Sequence, residues 1–468
     1  MVERERTMLK VYNPADGSEV GQVKQHTAAE VEAAIGRIDA AFPAWSGRLA
    51  KERADILRKW FELVKADKEV FARLITQENG KCLTESRAEI DYGLGFIEWY
   101  GEEAKRTYGD VIPTHDKNAT VLVTKEPIGP AAAITPWNFP FVMITRKVAP
   151  ALAAGCTIIM KPAEDTPLTA LKLLEYARKA GVPDDVFDIV TGDPKMIGEK
   201  FTSDPRIKKL SFTGSTQVGR QLAAQCAPTV KKLTMELGGN APFLIFDDAN
   251  LENAVKGLVG AKLRNSGQVC ISPNRIYVQK TIFDEVLKRL KEAVSKMKVD
   301  QGLQDDFVIG PLINQKGFDK VTALVADAKA QGAKIELGGK PHAKGGLFYE
   351  PTIITGLADS ARMACEEIFG PVFALYSFET EEEAIRRANN TEFGLIAYAY
   401  TADLGRAFRL SQQLQAGMAI LNSGAVGTAS VPFGGIKQSG YGREGSFYGI
   451  EEYMQVKYVL MSGLSKPA

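Results

Sequence analysis

The chain has 468 residues and a net charge of +1, with 45% of its residues hydrophobic and 25% charged. This length exceeds the usual size of a single domain, so we expect two or more domains with an ample core. The near-zero net charge predicts neither a basic surface for nucleic acid nor a polybasic membrane anchor.

Targeting and metal-binding patterns are also missing from the sequence. Residues 1–6 are charged and lack the apolar core of a secretory signal. The most apolar region, 131–160, is interrupted by prolines and basic residues, which argues against a membrane span. The cysteines lack metal-ligand spacing, so we expect no metal site and reduced thiols in a cytoplasmic protein. His26, His115 and His342 lie in polar segments, which favours proton transfer by carboxylates instead of histidine.

Long helical patterns fill the N-terminal third, and we expect them to pack on the first domain. They are Ala28–Phe42, Lys51–Lys65 and Lys68–Gln77. From about residue 129, apolar runs typical of buried strands alternate with segments of helical periodicity. The predicted strands are Ala131–Thr135, Cys156–Met160, Phe187–Val190, Lys209–Thr213 and Lys232–Glu236. The predicted helices between them are Met143–Ala153, Pro167–Ala180, Lys195–Thr202 and Thr216–Gln225. This alternation predicts a parallel sheet covered by helices on both faces.

A second alternating series follows Gly238-Gly239, which we interpret as a hinge. Its predicted elements are Phe243–Phe246, Leu251–Leu263, Ile276–Val278, Phe283–Met297, Val321–Ala330, Phe373–Phe378 and Ala397–Tyr400. Two further segments, Ala119–Lys125 and Gln455–Met461, fit neither series and have the alternating faces of β-strands.

The segment Asn265-Ser266-Gly267-Gln268-Val269-Cys270 places a cysteine directly after a glycine-containing turn. A thiolate nucleophile needs a sulfur on a tight backbone and a nearby N–H group for negative charge on the substrate. A single cysteine is more often an inert core residue. Upstream, however, Met235-Glu236-Leu237-Gly238-Gly239 supplies a carboxylate base, and Thr135-Pro136-Trp137-Asn138-Phe139-Pro140 supplies a side-chain amide.

With these three segments, the chain resembles the aldehyde dehydrogenase family nearly from end to end. The resemblance implies an α/β fold with two doubly wound Rossmann-type domains and a small β oligomerisation arm. It implies an NAD-binding domain at 1–107 and 127–238, a catalytic domain at 239–438, and an arm formed by 108–126 and 453–468. In the family, strands matching the arm pair across subunits, which implies a homodimer or homotetramer. The alternative is an ordinary edge hairpin, because sequence does not locate the partner of a strand.

The cofactor is predicted from loops that follow strands, because ligands of doubly wound sheets bind at the carboxyl ends of strands. In the family, residues matching Lys161 and Glu164 contact the adenosine ribose, and a carboxylate there repels a 2′-phosphate. This predicts NAD, with NADP as the less favoured cofactor. The alternative is that Glu164 only complements the dipole of the next helix.

A second loop, Gly214-Ser215, precedes a helix whose N-terminus can hold a pyrophosphate. The resemblance further places Glu367 on the nicotinamide ribose and Phe369 beside the ring. The complete predicted cofactor set is Thr135, Pro136, Trp137, Lys161, Ala163, Glu164, Gly214, Ser215, Gly219, Leu237, Glu367 and Phe369.

The resemblance also implies the chemistry. Cys270 attacks the aldehyde, and the Asn138 amide and the Cys270 N–H hold the oxyanion. Hydride transfer then gives a thioester, which water activated by Glu236 hydrolyses. Relatives that form acyl-coenzyme A generally lack this glutamate, so Glu236 predicts release of a free acid. Lys147 and Glu444 match residues near the active site that support proton movement; alternatively, Lys147 is a helix-surface lysine.

Within the family, the chain is most similar to the succinate-semialdehyde dehydrogenase branch. Arg146 and Arg264 match the arginine pair that grips the distal carboxylate there, since guanidinium groups bind carboxylates bidentately. The alternative for Arg146, on an otherwise apolar helix, is an internal Asp or Glu partner. Gly427, Thr428 and Phe433 complete the predicted substrate site.

The chain departs from this branch at two positions. Gly427 stands where the branch often has a hydroxyl residue, so either Thr428 replaces that hydroxyl or the pocket is enlarged. If the pocket is enlarged, Gly427→Ser should improve activity on the four-carbon semialdehyde. Ser272 stands where some members have a second cysteine, which predicts no redox switch there. Glutarate semialdehyde, 2-oxoglutarate semialdehyde, lactaldehyde and glycolaldehyde stay open as substrates. An acyl-coenzyme A-forming enzyme and a non-catalytic homologue are further alternatives.

Overall fold

A hairpin and a group of helices precede the first α/β layer in the computed structural model, which describes residues 8–304 and 307–464. The elements are β1 (Met8–Tyr12), β2 (Glu19–Lys24), α1 (Ala28–Ser46), α2 (Ala50–Ala66), α3 (Lys68–Asn79), α4 (Leu83–Glu103), β3 (Asp110–Ile112) and β4 (Ala119–Pro127). The predicted N-terminal helices are confirmed, whereas β1, β2 and α4 were not predicted. Glycines within α4 weaken its helical sequence pattern. Gly93 is one of them, and it faces Phe141, whose ring occupies the space that a Cβ would need.

The first α/β layer carries the elements predicted from residue 129 onward. They are β5 (Ala131–Ile134), α5 (Val142–Ala154), β6 (Ile158–Lys161), α6 (Pro167–Ala180), β7 (Phe187–Ile189), α7 (Pro194–Ser203), β8 (Lys209–Thr213), α8 (Thr216–Cys226) and β9 (Lys232–Glu236). The strands lie in the order β9-β8-β5-β6-β7 and are parallel. The chain direction across the sheet reverses between β5 and β8. Ligands of open α/β sheets bind at such a reversal, beside the carboxyl ends of the strands.

The second layer is another mostly parallel sheet with helices on its faces. Its elements are β10 (Ala241–Ile245), α9 (Leu251–Leu263), β11 (Pro273–Gln279), α10 (Phe283–Val294), α11 (Gln315–Ala330), β12 (Lys334–Leu337), β13 (Thr352–Thr355), α12 (Arg362–Cys365), β14 (Val372–Phe378), α13 (Glu381–Asn389), β15 (Ile396–Tyr400), α14 (Leu404–Gln413) and β16 (Met418–Leu421). The strand order is β12-β13-β14-β11-β10-β15-β16, and β12 is antiparallel to β13. The sequence did not predict β12, β13 or β16, which lie toward the two edges.

The C-terminal segment returns to the first layer through β17 (Gly440–Tyr441), α15 (Ser446–Glu451) and β18 (Met454–Ser462). β17 pairs antiparallel with β9, which sets Gly440 opposite Glu236. The domain boundaries expected from the sequence, with 1–107 and 127–238 in one domain and 239–438 in the other, stay a prediction. Within the described ranges, no helix combines the length and apolar character needed to cross a membrane.

The two predicted arm strands pair with each other within the chain. β18 runs antiparallel to β4 from Met454 opposite Pro127 to Ser462 opposite Ala119, and β3 pairs with the other edge of β4. Apolar side chains on this sheet are exposed, among them Val111, Val456 and Tyr458. An exposed apolar sheet face is typical of a surface that another chain covers.

Candidate active site

The loop that carries Cys270 has an unusual backbone. Asn265, Ser266 and Gly267 have φ values of 47°, 56° and 80°, in the left-handed region. Such a conformation costs about 1–3 kcal/mol for each non-glycine residue, so neighbouring contacts must hold it. Gly267 is required because a Cβ would overlap the Gly370 carbonyl. The Ser266 hydroxyl donates to the Gly310 carbonyl at 2.9 Å.

The surroundings of Cys270 act on the ionisation of its thiol. Burial, and secondarily the nearby Glu367 carboxylate, raises the pKa of Cys270 to about 12. Arg146 acts in the opposite direction.

Glu236 ends β9 in a buried position and is 3% exposed. Neither of its carboxylate oxygens has a hydrogen-bond partner among the described residues. Burial, and then the charge of Glu444, raises the pKa of Glu236 well above its usual range. A buried carboxyl group without a partner is uncommon outside functional sites, so Glu236 is a strong candidate for a general base.

Glu444 lies between two cations from α5. Its carboxylate accepts a hydrogen bond from the Lys147 ammonium, and its Oε2 lies 2.5 Å from Arg146 Nε. Burial opposes ionisation of Glu444, but Arg146 and Lys147 together lower its pKa. Lys147 is fully buried, so the interpretation as a helix-surface lysine is wrong. The internal carboxylate partner considered for Arg146 is Glu444, which forms an ion pair with its guanidinium group.

Asn138 follows β5 and is 3% exposed. Its amide Nδ2 donates to the Gln268 carbonyl at 3.0 Å, which ties Asn138 to the loop of Cys270. An amide nitrogen carries two protons, so this bond leaves one for another acceptor. Asn138 and Cys270 both line a cavity of about 440 Å³.

This cavity lies at the reversal between β5 and β8, and we refer to it as the cofactor cavity. Predicted cofactor residues in its wall are Pro136, Trp137, Gly214, Ser215, Leu237, Glu367 and Phe369. The Ser215 side chain caps α8 by accepting from Val218 N at 3.4 Å. The rings of Trp137 and Phe369 meet edge to face at 5.6 Å. A helix N-terminus for phosphate together with aromatic rings for a planar group fits a dinucleotide.

The remaining predicted cofactor residues lie outside the wall of the cofactor cavity. They are Thr135, Lys161, Ala163, Glu164 and Gly219. The Lys161 ammonium donates to Glu164 Oε1 at 2.5 Å. The Glu164 side chain is 39% exposed. Gly219 packs against Leu237, whose side chain occupies the space that a Cβ would need.

Sequence reasoning missed several residues of this cavity. Lys316 and Lys320 of α11 lie in its wall one helical turn apart, and Thr213, Asn314 and Gln268 also line it. The helical spacing of the two lysines is a signal that the sequence does contain. The two lysines belong to the second α/β layer, however, whereas much of the cavity wall belongs to the first. Local sequence patterns do not show that the two layers meet there.

A small pocket lies on the other side of Cys270, and we refer to it as the substrate pocket. Its wall is formed by Tyr92, Phe139, Val142, Met143, Arg146, Arg264, Val269, Cys270, Ile271, Val426 and Phe433. The pocket encloses about 20 Å³, which is room for about one water molecule, so a substrate chain enters only if side chains in its wall move. Arg146 lies over the Phe433 ring at 4.1 Å and Arg264 over the Phe139 ring at 4.7 Å. Among the described residues, Arg264 forms no salt bridge, which distinguishes it from Arg146.

Gly427 and Thr428 do not line the substrate pocket. The Thr428 hydroxyl pairs with Ser430 Oγ at 2.9 Å on the exposed side of its loop. Gly427 has a φ of 116°, and a Cβ there would lie 2.8 Å from Tyr92 Cζ. The expectation that Gly427→Ser improves activity is therefore reversed, because serine would strain the backbone and collide with Tyr92. The enlargement considered at this position is also absent, since Tyr92 fills the space.

Comparisons with known proteins agree with this geometry. Residues 1–459 match the aldehyde dehydrogenase family. The chain is 50% identical to glutarate-semialdehyde dehydrogenase of Pseudomonas aeruginosa over 97% of this chain and 94% of that one. It is also 50% identical to the succinate-semialdehyde dehydrogenase [NADP(+)] GabD of Escherichia coli, over 96% and 94%. A solved structure of succinate-semialdehyde dehydrogenase from Burkholderia pseudomallei superposes with a TM-score of 0.97 at 51% identity, covering 98% of this chain and 95% of that one. The chain belongs to the aldehyde dehydrogenase family and is an NAD(P)-dependent oxidoreductase.

Proposed function

We propose that this aldehyde dehydrogenase oxidises a short aldehyde with a distal carboxylate to the free acid, with succinate semialdehyde as the first candidate. The observation that carries the proposal is the position of Cys270 between the cofactor cavity and a substrate pocket that contains Arg264. An arginine without an ionic partner among the described residues suits a carboxylate supplied by the substrate.

In the proposed reaction, the Cys270 thiolate adds to the aldehyde carbonyl. The remaining Asn138 amide proton and the Cys270 N–H then stabilise the oxyanion of the thiohemiacetal. Loss of one such donor typically costs roughly 10²–10³ in rate. A nicotinamide held in the cofactor cavity would supply the hydride acceptor for conversion of the thiohemiacetal into a thioester. Trp137 and Phe369 would orient the ring, and Ser215 and the α8 N-terminus would hold the pyrophosphate.

Glu236 completes the reaction by taking a proton from the water that attacks the thioester. Its oxygens are free for that water, since they have no hydrogen-bond partner in the described chain. The negative charge of Glu444, which Arg146 and Lys147 stabilise, favours the protonated form of Glu236 that results. A hydrolytic base in this position supports acid release over transfer to coenzyme A.

A panel of aldehydes, with formation of NADH or NADPH as the signal, tests the proposal. Succinate semialdehyde should have the highest kcat/KM, above butanal of equal length. Glutarate semialdehyde is the second candidate, because a relative of that name is as similar to this chain as the succinate-semialdehyde enzyme. A preference for butanal, or for a hydroxyaldehyde such as lactaldehyde, would contradict the proposed carboxylate tail.

We also propose that the sheet formed by β3, β4 and β18 is an oligomerisation arm. On this sheet, Val456 is 69% exposed and Tyr458 is 64% exposed, and a partner subunit would cover both side chains. Mass by light scattering should show a dimer or tetramer, and a monomer would contradict the proposal.

The choice of cofactor should depend on Glu164. A ribose 2′-phosphate would lie near this carboxylate, so kcat/KM should favour NAD over NADP by at least about tenfold, or ~1.4 kcal/mol. Glu164→Ser would leave the Lys161 ammonium, 2.5 Å from Glu164 in this structure, available to a phosphate. We expect this variant to lose most of the preference.

Asp165→Asn provides the matched control, since it removes the adjacent carboxylate, which accepts a bond from Asn314 at 3.4 Å. It should change the NAD/NADP ratio less than Glu164→Ser. Equal efficiency of the wild type with both cofactors would show that Glu164 does not reach the ribose.

Hydrolysis of the thioester should accelerate as pH rises. Glu236 acts as a base only when ionised, and burial together with Glu444 raises its pKa well above the usual range. A larger fraction is therefore ionised at higher pH, up to the raised pKa. Decay of a preformed acyl-enzyme measured by rapid quench from pH 6 to 9 isolates this step, because Cys270 has no thiol to titrate in the thioester. A rate independent of pH would contradict the assignment.

A further inference from the structure

Lys81 is a buried lysine in the short turn between α3 and α4. It lies beside residues 135–141, the loop between β5 and α5 that carries Asn138, which we call the oxyanion loop. Lys81 is 1% exposed. Its ammonium donates to the Asn138 carbonyl at 2.6 Å and to Glu89 Oε2 at 2.7 Å, and it lies 3.9 Å from the centre of the Phe139 ring. A buried ammonium group without such partners would be strongly unfavourable. The contacts to Asn138 and Glu89 therefore fix the position of the Lys81 side chain.

Glu89 of α4 extends the contact to the next residues of the same loop. While one oxygen pairs with Lys81, its Oε1 accepts from the backbone N–H of Phe141 at 2.8 Å and of Val142 at 3.2 Å. These N–H groups lie at the start of α5, where a helix leaves its first donors without internal partners. The Lys81–Glu89 pair therefore holds the backbone on both sides of Phe139 and Pro140.

Glu85, one turn earlier on α4, contacts the loop of Cys270. Its Oε1 accepts from Asn265 N at 2.8 Å, at the first of the left-handed residues. Asn265 in turn donates through Nδ2 to the Asn138 carbonyl at 3.1 Å, the same oxygen that Lys81 contacts. The Asn138 carbonyl is thus a junction between the oxyanion loop, the nucleophile loop and α4.

Close packing leaves the turn of Lys81 little freedom. A Cβ on Gly80 would lie 2.8 Å from both Pro14 Cγ and Pro311 Cγ. Gly302 and Gly310 contact the backbone of residues 80–82 so closely that a side chain on either glycine would overlap it. The turn is therefore a rigid support.

We infer that Lys81 is a positioning residue for the oxyanion site, supported by Glu89 and assisted by Glu85 on the nucleophile loop. It touches neither the substrate pocket nor the cofactor cavity and acts through the main chain of Asn138. The inference rests on the proposed function, because it assigns the oxyanion contact to the Asn138 amide. A displacement of about 1 Å at such a donor can lower a rate by about 100-fold.

The test uses Lys81→Met combined with Glu89→Gln, so that Glu89 does not remain as a buried charge without the lysine that pairs with it. Glutamine retains an oxygen for the N–H groups of Phe141 and Val142, while the bond from Lys81 to Asn138 is lost. Single-turnover NADH formation, with enzyme in excess over succinate semialdehyde and with saturating NAD, reports acylation and hydride transfer. We expect a rate at least about tenfold lower, with the full amount of NADH still formed.

The same pair of changes is then introduced into Asn138→Ala, which completes a double-mutant cycle. If Lys81 acts through Asn138, the pair should lower the rate in that background by less than about threefold. Lys231→Met is the matched control, because Lys231 is also buried and donates to the Asp204 and Ile207 carbonyls at 2.6 and 2.9 Å, away from the site. It should leave the single-turnover rate unchanged.

Additive effects in the cycle, or an effect no larger than that of Lys231→Met, would overturn the inference. Glu85→Leu gives a second route if the paired variant does not fold, since it removes the contact to Asn265 N together with the 3.6 Å contact to Cys82 Sγ. It should also lower the single-turnover rate, and an unchanged rate would contradict the support of the nucleophile loop. Wild-type enzyme that forms no NADH from any aldehyde would instead refute the proposed function.

Discussion

Replacing Glu236 with glutamine should allow one round of NADH formation per active site and then stall turnover. Acylation and hydride transfer do not require this carboxylate, whereas hydrolysis of the thioester does. Removal of a general base typically lowers a rate by roughly 10²–10⁴, and we expect a loss of that size in steady-state kcat. Glutamine has the same shape as glutamate and carries no charge, so the unfavourable burial of a carboxylate is avoided. The fold should therefore be retained.

Mass spectrometry of the stalled enzyme should find an acyl group on Cys270. Cys270→Ala is the matched control: it should form no NADH and no adduct while still binding NAD. Full steady-state turnover by Glu236→Gln would remove Glu236 from the hydrolytic step and point to another base in the buried cluster.

Arg264→Ala should reduce kcat/KM for succinate semialdehyde by roughly 30-fold or more. The substrate carboxylate would lose a charged partner in a narrow pocket, and truncating one member of a buried charged pair typically costs about 2–5 kcal/mol. Arg264 is the informative choice because Arg146 already contacts Glu444, and replacing Arg146 would also disturb the cluster beside Glu236.

Butanal is the internal control for this variant, because it has the same chain length and no carboxylate. Its kcat/KM should change much less, and Arg264→Lys should fall between wild type and alanine since it keeps the charge without the bidentate geometry. An equal loss for both substrates would indicate a general structural defect and contradict the carboxylate contact.

Local signals in the sequence account for the elements that were predicted well. α6 begins and ends at the predicted residues, Pro167 and Ala180, because proline favours the first helical turn and Gly181 adopts the left-handed cap that ends the helix. β8 and β9 also have the predicted bounds, and each is a short segment in which polar and apolar residues alternate. The sequence did not predict α4 because its glycines weaken the helical pattern. This helix nevertheless carries Glu89, which contacts Lys81, and Glu85, which contacts Asn265 in the loop of Cys270.

The sequence by itself determined the family, the parallel α/β layers, and the residue types for a nucleophile, a base and an amide donor. These depend on motifs within a few residues, where backbone geometry and chemistry are local. Only the tertiary structure decided which charges meet. It pairs Arg146 with Glu444, buries Lys147 and leaves Arg264 beside the substrate pocket. The physical reason is that burial and ionic pairing depend on segments that are distant along the chain. Burial and the charge of Glu444 raise the pKa of Glu236, and the ring of Tyr92 fills the space beside Gly427.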